Sequence, residues 1–463
     1  MRRSLPLFLL LAGCTVGPNY MRPAVPGADA NWSFAAAVDL SPWEKLGDPI
    51  LSGLLRDAVA ANLDLREADA RLREARASRD AAAGGRLPQV DATASATEQQ
   101  LSANGQLPVG LIPGFDRRYS LFDGGFDASW ELDLWGGTRR SVEAADRRVA
   151  AAAARRRETL LQIVAEVART YASLRRSQAT LVSTLADVGA QADIARLVHQ
   201  QFTAGEASRF DDARAEAQAR NTAASIENAR ADIRADANQL ALLTGRPPEA
   251  LSWLVEGSRA LPATPSIVGV GLRSDLLRRR PDILAAEADL AAATSDVGVQ
   301  IAQLFPSVSL IGSVGQQARD SGDLVSGDSL RFSIGPSIRW PIFSGGRIRA
   351  QIRGADARAD AAGARYEKAV LAAFADSETA INRYAAALAR VREQDAARQA
   401  SAIALDLARQ RYRAGEDNLL TLLDAQISYT TSDRTATDAR AQAFQAYASL
   451  IKALGGGWAD TTN

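Results

Sequence analysis

The chain of 463 residues is poor in the residues that most often build reactive centres. It has one cysteine, Cys14, and one histidine, His199. A single cysteine excludes an intramolecular disulfide, and the lack of a Cys/His cluster argues against a zinc or other transition-metal site. His199 is predicted to lie on the surface of a helix. No nucleophile elbow or phosphate loop occurs either, so the chain is predicted not to be an enzyme and to need no cofactor.

Lysine is nearly absent, and neither sign of charge is in excess. Only three lysines occur, and Lys plus Arg equals Asp plus Glu at 54 each. Nucleic-acid binding requires a basic excess on one face, so no nucleic-acid partner is expected. Beyond residue 14 no run of eighteen or more apolar residues exists to form a transmembrane helix. Any part that spans a membrane must therefore consist of strands.

The single cysteine lies at the end of a signal-like N-terminus. Two arginines, a short apolar run and two small residues precede it, and Leu11-Ala12-Gly13-Cys14 matches the bacterial lipobox at every position. The alternative is an ordinary secretory signal with an incidental cysteine. We predict a signal peptide over residues 1–13 and acylation of Cys14, which gives durable membrane attachment. In this class of lipoprotein, an Asp directly after the acylated cysteine resembles an inner-membrane retention signal. The residue at this position is Thr15, so sorting to the outer membrane is expected.

The chain repeats its landmarks at a spacing of about 210 residues. The matching segments are 68–77 with 286–295, 134–137 with 343–346, and 202–206 with 412–416. A period this long does not fit a solenoid. It indicates a duplicated half-molecule with internal pseudo-symmetry.

Each half contains two stretches in which apolar and polar residues alternate, as in strands with two different faces. The four stretches are 90–97, 126–134, 308–314 and 332–340. Each pair is predicted to form a hairpin with a long loop, at about 101–118 and 316–330. A soluble β-sandwich is the alternative, because its strands alternate in the same way.

Strand length and tryptophan placement favour a membrane. The stretches approach the roughly ten residues that a tilted strand needs to cross a bilayer, and Trp130, Trp135 and Trp340 are placed for an interfacial aromatic girdle. Four strands cannot close a barrel, and an open edge is untenable in lipid. The membrane interpretation therefore requires several chains to share one barrel.

Two very long stretches without proline follow the strands. Thr138 to Gln201 would extend on the order of 100 Å as one helix, turn at Ala204-Gly205, and return through Asp211 to Thr244. The second half repeats this arrangement from Arg347 to Arg411 and from Asn418 to Leu454. The pattern predicts two long helical hairpins. If the helical segments are considered alone, a rod-like coiled-coil spacer is the alternative.

Several short motifs carry a resemblance to a known family. They are Gly17-Pro18-Asn19-Tyr20 after the lipobox, Pro42-Trp43 with Gly47-Asp48-Pro49, Arg279-Arg280-Pro281-Asp282-Ile283, the stretch 412–426, and Leu454-Gly455-Gly456-Gly457-Trp458. In order and spacing they resemble the outer-membrane efflux lipoproteins of the OprM and TolC type, the exit ducts of tripartite pumps. The resemblance covers nearly the whole chain.

The resemblance implies a mainly helical fold with membrane strands. Three chains would form one twelve-stranded β-barrel in the outer membrane, continued into the periplasm by a barrel of long helices. The protein would be a passive homotrimeric conduit that works with a periplasmic adaptor and an inner-membrane pump, with the Cys14 lipid in the outer membrane. A type I secretion exit duct and a lipid-anchored periplasmic coiled-coil scaffold remain as alternatives.

This interpretation divides the chain into six parts. They are the signal peptide (1–13), a lipid-anchored segment with part of an equatorial belt (14–62), the first repeat (63–245), an equatorial linker (246–275), the second repeat (276–454) and a tail (455–463).

The resemblance also implies a periplasmic gate. Leu420 and Asp424 fall at the family's constriction positions, one turn apart on a helix, and three copies of Asp424 would attract cations. Asp211 and Tyr412 match positions that link neighbouring helices in the closed state. Ile427 departs from the family, because close relatives carry Arg there, so the closing salt bridges cannot be transferred.

The two helical turns are the implied contacts with the adaptor. They consist of Ala204, Gly205 and Glu206 in the first repeat and Ala414, Gly415 and Glu416 in the second. Glycine in each turn also suits a sharp reversal of the backbone, which is an alternative reason for its presence.

Overall fold

The computed structural model describes residues 15–24, 43–103, 116–257, 259–266, 268 and 273–456. The chain divides into two compact units. The first comprises Met1–Pro23, Leu72–Ala152 and Ala286–Tyr366, and the second comprises Ala24–Arg71, Ala153–Ala285 and Glu367–Asn463. Cys14 and the C-terminal Gly457-Trp458 lie outside the described residues.

A four-stranded antiparallel sheet lies in the first unit. Its strands are β1 (Gln89–Gln100), β2 (Arg118–Leu132), β3 (Ser307–Ala318) and β4 (Leu330–Arg339). They follow one another in the sheet in chain order. The two predicted hairpins are thereby confirmed, and a third pairing, between β2 and β3, joins the two halves of the chain.

Nine α-helices occur in the described part of the chain. They are α1 (Pro49–Ala61), α2 (Leu63–Gly84), α3 (Gly137–Thr203), α4 (Arg209–Leu243), α5 (Trp253–Glu256), α6 (Arg273–Arg279), α7 (Pro281–Ala302), α8 (Arg347–Arg413) and α9 (Leu419–Ala453). The two long helices α3 and α8 have 67 residues each, and their partners α4 and α9 have 35 each. Both predicted helical hairpins are thus present.

Side-chain caps define where several helices begin. Asp48 accepts from the backbone N–H groups of Ile50 and Leu51, and Pro49 supplies a preset φ at the first position of α1. Asn62 caps α2 through Oδ1 and donates its amide to the carbonyl of Leu243, 2.8 Å away. This residue therefore both starts one helix and holds the end of another.

The core of the second unit collects apolar side chains from many helices. Tyr171, Leu240 and Phe444 are fully buried there. The ring of Trp43 packs edge-on against Tyr447 at 5.9 Å, and the Tyr171 hydroxyl donates to Asp48. The Trp43 and Gly47-Asp48-Pro49 motifs therefore serve packing and capping.

The strand ends differ from the sequence prediction. β2 begins at Arg118, well before the alternation that starts at Phe126, because Gly124 and Gly125 interrupt the apolar pattern without interrupting the pairing. The prediction was wrong for Leu134 and Trp340, which lie beyond the last residues of β2 and β4. A single sequence locates strand ends poorly because pairing, not side-chain pattern, ends a strand.

Candidate functional site

The sheet has one apolar face. In β2, β3 and β4 the register aligns apolar residues in rows, for example Phe126 with Val314 and Val314 with Phe332. These side chains have few contacts within one chain, since Phe332 is 77%, Ile334 73% and Ile338 70% exposed. A contiguous exposed apolar surface marks a site of contact with membrane or with another protein.

The opposite face of the sheet is polar. Arg331 donates to both carboxylate oxygens of Asp123, at 2.9 Å and 2.5 Å, and Gln317 donates to the same carboxylate at 2.6 Å. Nearby, the Thr93 hydroxyl donates to Asp127 at 3.0 Å. Polar side chains tied together on one face fit the wall of a water-filled channel.

Two glycines bring the backbones of β2 and β3 into unusually close contact. A Cβ built on Gly125 would lie 2.4 Å from the Val314 carbonyl oxygen, and one on Gly315 would lie 2.6 Å from the Gly124 oxygen. These residues are opposite each other in the register. Any side chain there would collide with the neighbouring backbone.

Three tryptophans mark one end of the sheet. Trp130 donates its indole N–H to the Arg86 carbonyl at 2.9 Å, and Trp340 donates to the Leu304 carbonyl at 3.1 Å. Trp135 donates to the Pro306 carbonyl at 2.8 Å. All three accepting residues precede β1 or β3, so the three indoles bond to the same end of the sheet. This placement is the one expected of an interfacial girdle.

The sheet is open at both edges. Among the described strands, β1 and β4 each pair on one side only. Within the described part of the chain, no helix is both long and apolar enough to cross a membrane.

Each long helical hairpin reverses at a short turn. Gly205 and Gly415 adopt positive φ, 78° and 75°, where a side chain would be strained. All six of the predicted adaptor residues are exposed. Ser208 and Asp211 form a capping box at the start of α4, and Asn418 caps α9.

The predicted gate residues divide into two groups. Leu420 and Asp424 lie on one exposed stripe of α9, which continues to Ile427. Tyr412 instead donates to Gln201 at 2.9 Å, a bond between α8 and α3. Burial raises the pKa of the Tyr412 phenol, and the charge of Asp211 raises this pKa further. The Asp211 side chain itself accepts from Ser208, so its bonded role in this structure is as a cap.

A buried polar cluster beside the gate stripe was missed from sequence. Gln426 donates to Asp187 at 2.9 Å and accepts from Arg409 at 2.8 Å. Thr430 also donates to Asp187, at 3.1 Å. The cluster ties α3, α8 and α9 together. Gln426 belongs to the motif 412–426, but its partner Asp187 is 239 positions away, and no local pattern identifies it.

Other predicted features have structural roles. His199 lies on α3 with its side chain 63% exposed and contacts Asp212 at 3.0 Å. Arg280, in the motif 279–283, donates to Asp282 and to the carbonyl of Ala453. Among the described residues, no group of three or more His, Cys, Asp or Glu side chains could hold a metal ion.

The geometry defines a class of protein. A sheet with one apolar face, one polar face and two open edges is a segment of a membrane β-barrel wall. The same chain carries two long helical hairpins. The protein is a membrane channel component that combines barrel strands with long helices.

The chain belongs to the outer membrane efflux protein family, whose sequence model matches residues 54–246 and 272–456. It is 32% identical to the outer membrane protein OprJ of Pseudomonas aeruginosa over 465 residues, covering 98% of this chain and 95% of that protein. It is also 32% identical over 480 residues to TtgI of Pseudomonas putida, the outer membrane protein of a toluene efflux pump, covering 100% and 99%. The solved structure of the outer-membrane channel OprN is similar, with a TM-score of 0.86, 35% identity, and coverage of 96% of this chain and 100% of that one.

Family membership confirms several predictions. The chain is an outer-membrane efflux duct with a mainly helical fold and membrane strands, and it is not an enzyme. The periplasmic coiled-coil scaffold is thereby rejected. The domain boundaries, the gate and adaptor residues and the acylation of Cys14 stay predictions.

Proposed function

We propose that three copies of this chain form the gated exit duct of a tripartite efflux pump, anchored in the outer membrane by a lipid on Cys14. The observation that carries the proposal is the sheet of β1 to β4, whose apolar face is exposed and whose two edges are open. Three such sheets supply twelve strands and leave no edge in lipid.

Small molecules are the proposed cargo. The relative TtgI is named for a toluene pump, and this kinship favours small-molecule efflux over the type I secretion of proteins. A periplasmic adaptor and an inner-membrane pump would supply coupling and selection. The exposed turns at Gly205 and Gly415 are the proposed points of contact with the adaptor.

The proposed gate is the exposed stripe of α9. Leu420 is 43% and Ile427 47% exposed within one chain, although both are apolar. Around a threefold axis, three copies of Leu420 would narrow the conduit sterically, and three copies of Asp424 would hold cations and repel anions. Because Ile427 replaces the family's Arg, closure here relies on apolar contact and on the Tyr412–Gln201 bond more than on salt bridges.

Conductance in planar bilayers tests the gate. Replacing both Leu420 and Asp424 with Ala removes the bulk and the charge, so conductance should rise several-fold and the preference for cations should weaken. The internal duplication offers a matched control, because Phe210 and Arg214 occupy the equivalent exposed positions of α4. Phe210→Ala with Arg214→Ala should leave conductance unchanged. Equal conductance in the gate variant and the wild type would remove the gate assignment.

A further inference from the structure

The segment that follows Cys14 is held along its length although it forms neither helix nor strand. We call residues Thr15–Arg22 the N-terminal strap; they belong to the first unit. The Val16 N–H donates to the Trp135 carbonyl at 3.1 Å. This bond joins the start of the strap to the chain just after β2.

One buried arginine holds the first half of the strap. Arg140, near the start of α3, is only 4% exposed. Its guanidinium donates to the carbonyls of Val16 at 3.2 Å and Gly17 at 3.3 Å, and to Asn19 Oδ1 at 2.6 Å. It also donates to Glu143, at 2.8 Å. Most of the hydrogen bonds that this buried guanidinium donates therefore go to the strap.

The strap also lies in direct backbone contact with α7. Gly17 has a φ of +90°, and a Cβ there would lie 2.4 Å from the Cα of Gly298. A Cβ on Gly298 would in turn lie 3.0 Å from the Arg140 side chain. A side chain at Gly17 is therefore excluded while the strap is docked, and one at Gly298 would crowd Arg140.

A carboxylate on α7 holds the other end of the strap. Glu287 accepts from the Tyr20 hydroxyl at 3.1 Å and from Arg22 Nε at 2.8 Å, and Arg22 Nη2 bonds its second oxygen. Glu287 and Gly298 are about 16 Å apart along the helix axis. The five peptide units from Gly17 to Arg22 span about 17 Å when fully extended. The backbone from Gly17 to Arg22 is thus long enough to follow α7 from Gly298 to Glu287, where the Tyr20 and Arg22 side chains complete the attachment.

The docked strap fixes where its own first residue, Thr15, lies. A Cβ on Gly136 would lie 2.9 Å from the Thr15 Cα, so Thr15 rests on the backbone just beyond β2. In the sequence, Cys14 is joined to Thr15 by a single peptide bond. The rows that end the apolar face, Leu132 with Val308 and Val308 with Ile338, are at this same end of the sheet.

We propose that the strap is a positioning element that holds the acyl chains of Cys14 beside the membrane-facing end of β2. The lipid would then enter the bilayer against the apolar face of its own sheet and would not move on a free tether. Arg140 and Gly298 are the positioning residues. The inference rests on the acylation of Cys14 proposed above.

A photoactivatable palmitate tests the proposal in cells. The probe carries a diazirine, is incorporated into lipoproteins and crosslinks to neighbouring groups on illumination. In the wild-type trimer, mass spectrometry should find crosslinks concentrated on peptides that contain Leu132, Val308 or Ile338. Crosslinks spread over bulk lipid and unrelated proteins would overturn the proposal.

Two substitutions should release the strap and disperse the crosslinks. Arg140→Gln removes the donors to the strap carbonyls, and Arg140→Lys should partly restore the pattern because it retains the charge. Arg147→Gln, at an exposed position of the same helix, is the control. Gly17→Ala should act like Arg140→Gln. Gly47→Ala is its control, because Gly47 also has positive φ but has no atom within 4 Å of a built Cβ. Dispersal by the control variants as well would contradict a specific role for the strap.

An insertion separates strap docking from lipid position. About six Gly and Ser residues between Thr15 and Val16 would add about 13 Å of reach and change no contact from Val16 onward. The strap should stay docked, seen as unchanged resistance to chymotrypsin at Tyr20, while the lipid crosslinks disperse. An unchanged crosslink pattern would overturn the proposal.

The crosslinking experiment distinguishes failure of the strap proposal from failure of the proposed function. If no probe is incorporated, Cys14 is not acylated and the inference falls with the anchor. Bilayer conductance would still report whether the trimer is a channel. If the probe is incorporated but does not crosslink to the sheet, only the strap proposal fails.

Discussion

Single glycines decide how closely the two halves of the sheet approach. Gly125 and Gly315 face each other across β2 and β3, the pairing that joins the two repeats. Their lack of side chains is a steric requirement, because the neighbouring backbone occupies the space that a Cβ would need.

Gly125→Ala should therefore impair assembly. The new Cβ meets backbone atoms at 2.4 Å and 2.6 Å, which cannot rotate away, and overpacking of this kind costs about 1–3 kcal/mol or more. The fraction of heat-modifiable trimer on gels should fall. Gly335→Ala is the control, since nothing lies within 4 Å of its built Cβ. Equal trimer fractions for the two variants would contradict the steric argument.

A buried tyrosine makes the stability of the second unit depend on pH in the alkaline range. Tyr384 is 5% exposed and donates to the Pro265 carbonyl, and burial raises the pKa of its phenol to about 12. In the unfolded chain the same phenol ionises near pH 10. The contribution of the neutral Tyr384 phenol to the free energy of unfolding is thus complete below pH 10. It is lost as the pH rises through about 12, by at most about 1.4 kcal/mol per pH unit.

Tyr384→Phe tests this directly. Thermal unfolding of the detergent-solubilised protein should show a shallower loss of stability between pH 10 and 12 than in the wild type. At pH 7 the variant should be slightly less stable, because it lacks the hydrogen bond. An identical slope in both proteins would show that Tyr384 does not ionise on unfolding in this range.

At the scale of elements, the strands are defined by the difference between their two faces. Ser333 and Ile334 are neighbours on β4, near its middle, and point to opposite sides. The alternation in the sequence was sufficient to predict this. The alternation could not predict that β2 starts at Arg118, because Gly124 and Gly125 interrupt the apolar pattern within this strand.

A lysine on each face measures the difference. Ile334→Lys places a charge on the proposed lipid face and should cost about 2–4 kcal/mol near the bilayer midplane. The folded trimer in outer membranes should decrease accordingly. Ser333→Lys, on the polar face, should leave the amount of trimer near the wild-type value. Comparable losses for both would indicate that neither face is in contact with lipid.

The helices were predicted to within a few residues because they are long and free of proline. Their side-chain partners were not. Tyr412 was singled out as a gate residue, but its partner Gln201 is 211 positions away in the sequence. Likewise, no local sequence pattern around Asp187 indicates that it accepts hydrogen bonds from Gln426 and Thr430.

At the scale of the whole molecule, one chain is an incomplete wall. The equal numbers of positive and negative residues give no net charge that would keep copies apart. The open edges of β1 and β4 and the exposed row of Phe332, Ile334 and Ile338 require further chains.

The mass of the purified protein should correspond to three chains. Light scattering in detergent, corrected for bound detergent, measures it directly. Ile334→Lys provides a comparison, since material that fails to insert should appear as smaller species or aggregates. A stable single-chain species from wild-type membranes would contradict the shared barrel.

The sequence by itself determined the helical hairpins, the strands and which side of each strand is apolar, because these depend on spacing over a few residues. It also determined the duplication, because the same short motifs recur in the same order in both halves. Only the tertiary structure decided that β2 pairs with β3, that Arg140 holds the strap and that Gln426 contacts Asp187. Alternation sets the face of a side chain but not the strand beside it. Contacts between residues more than a hundred positions apart arise only when the whole chain has folded, and no local pattern encodes them.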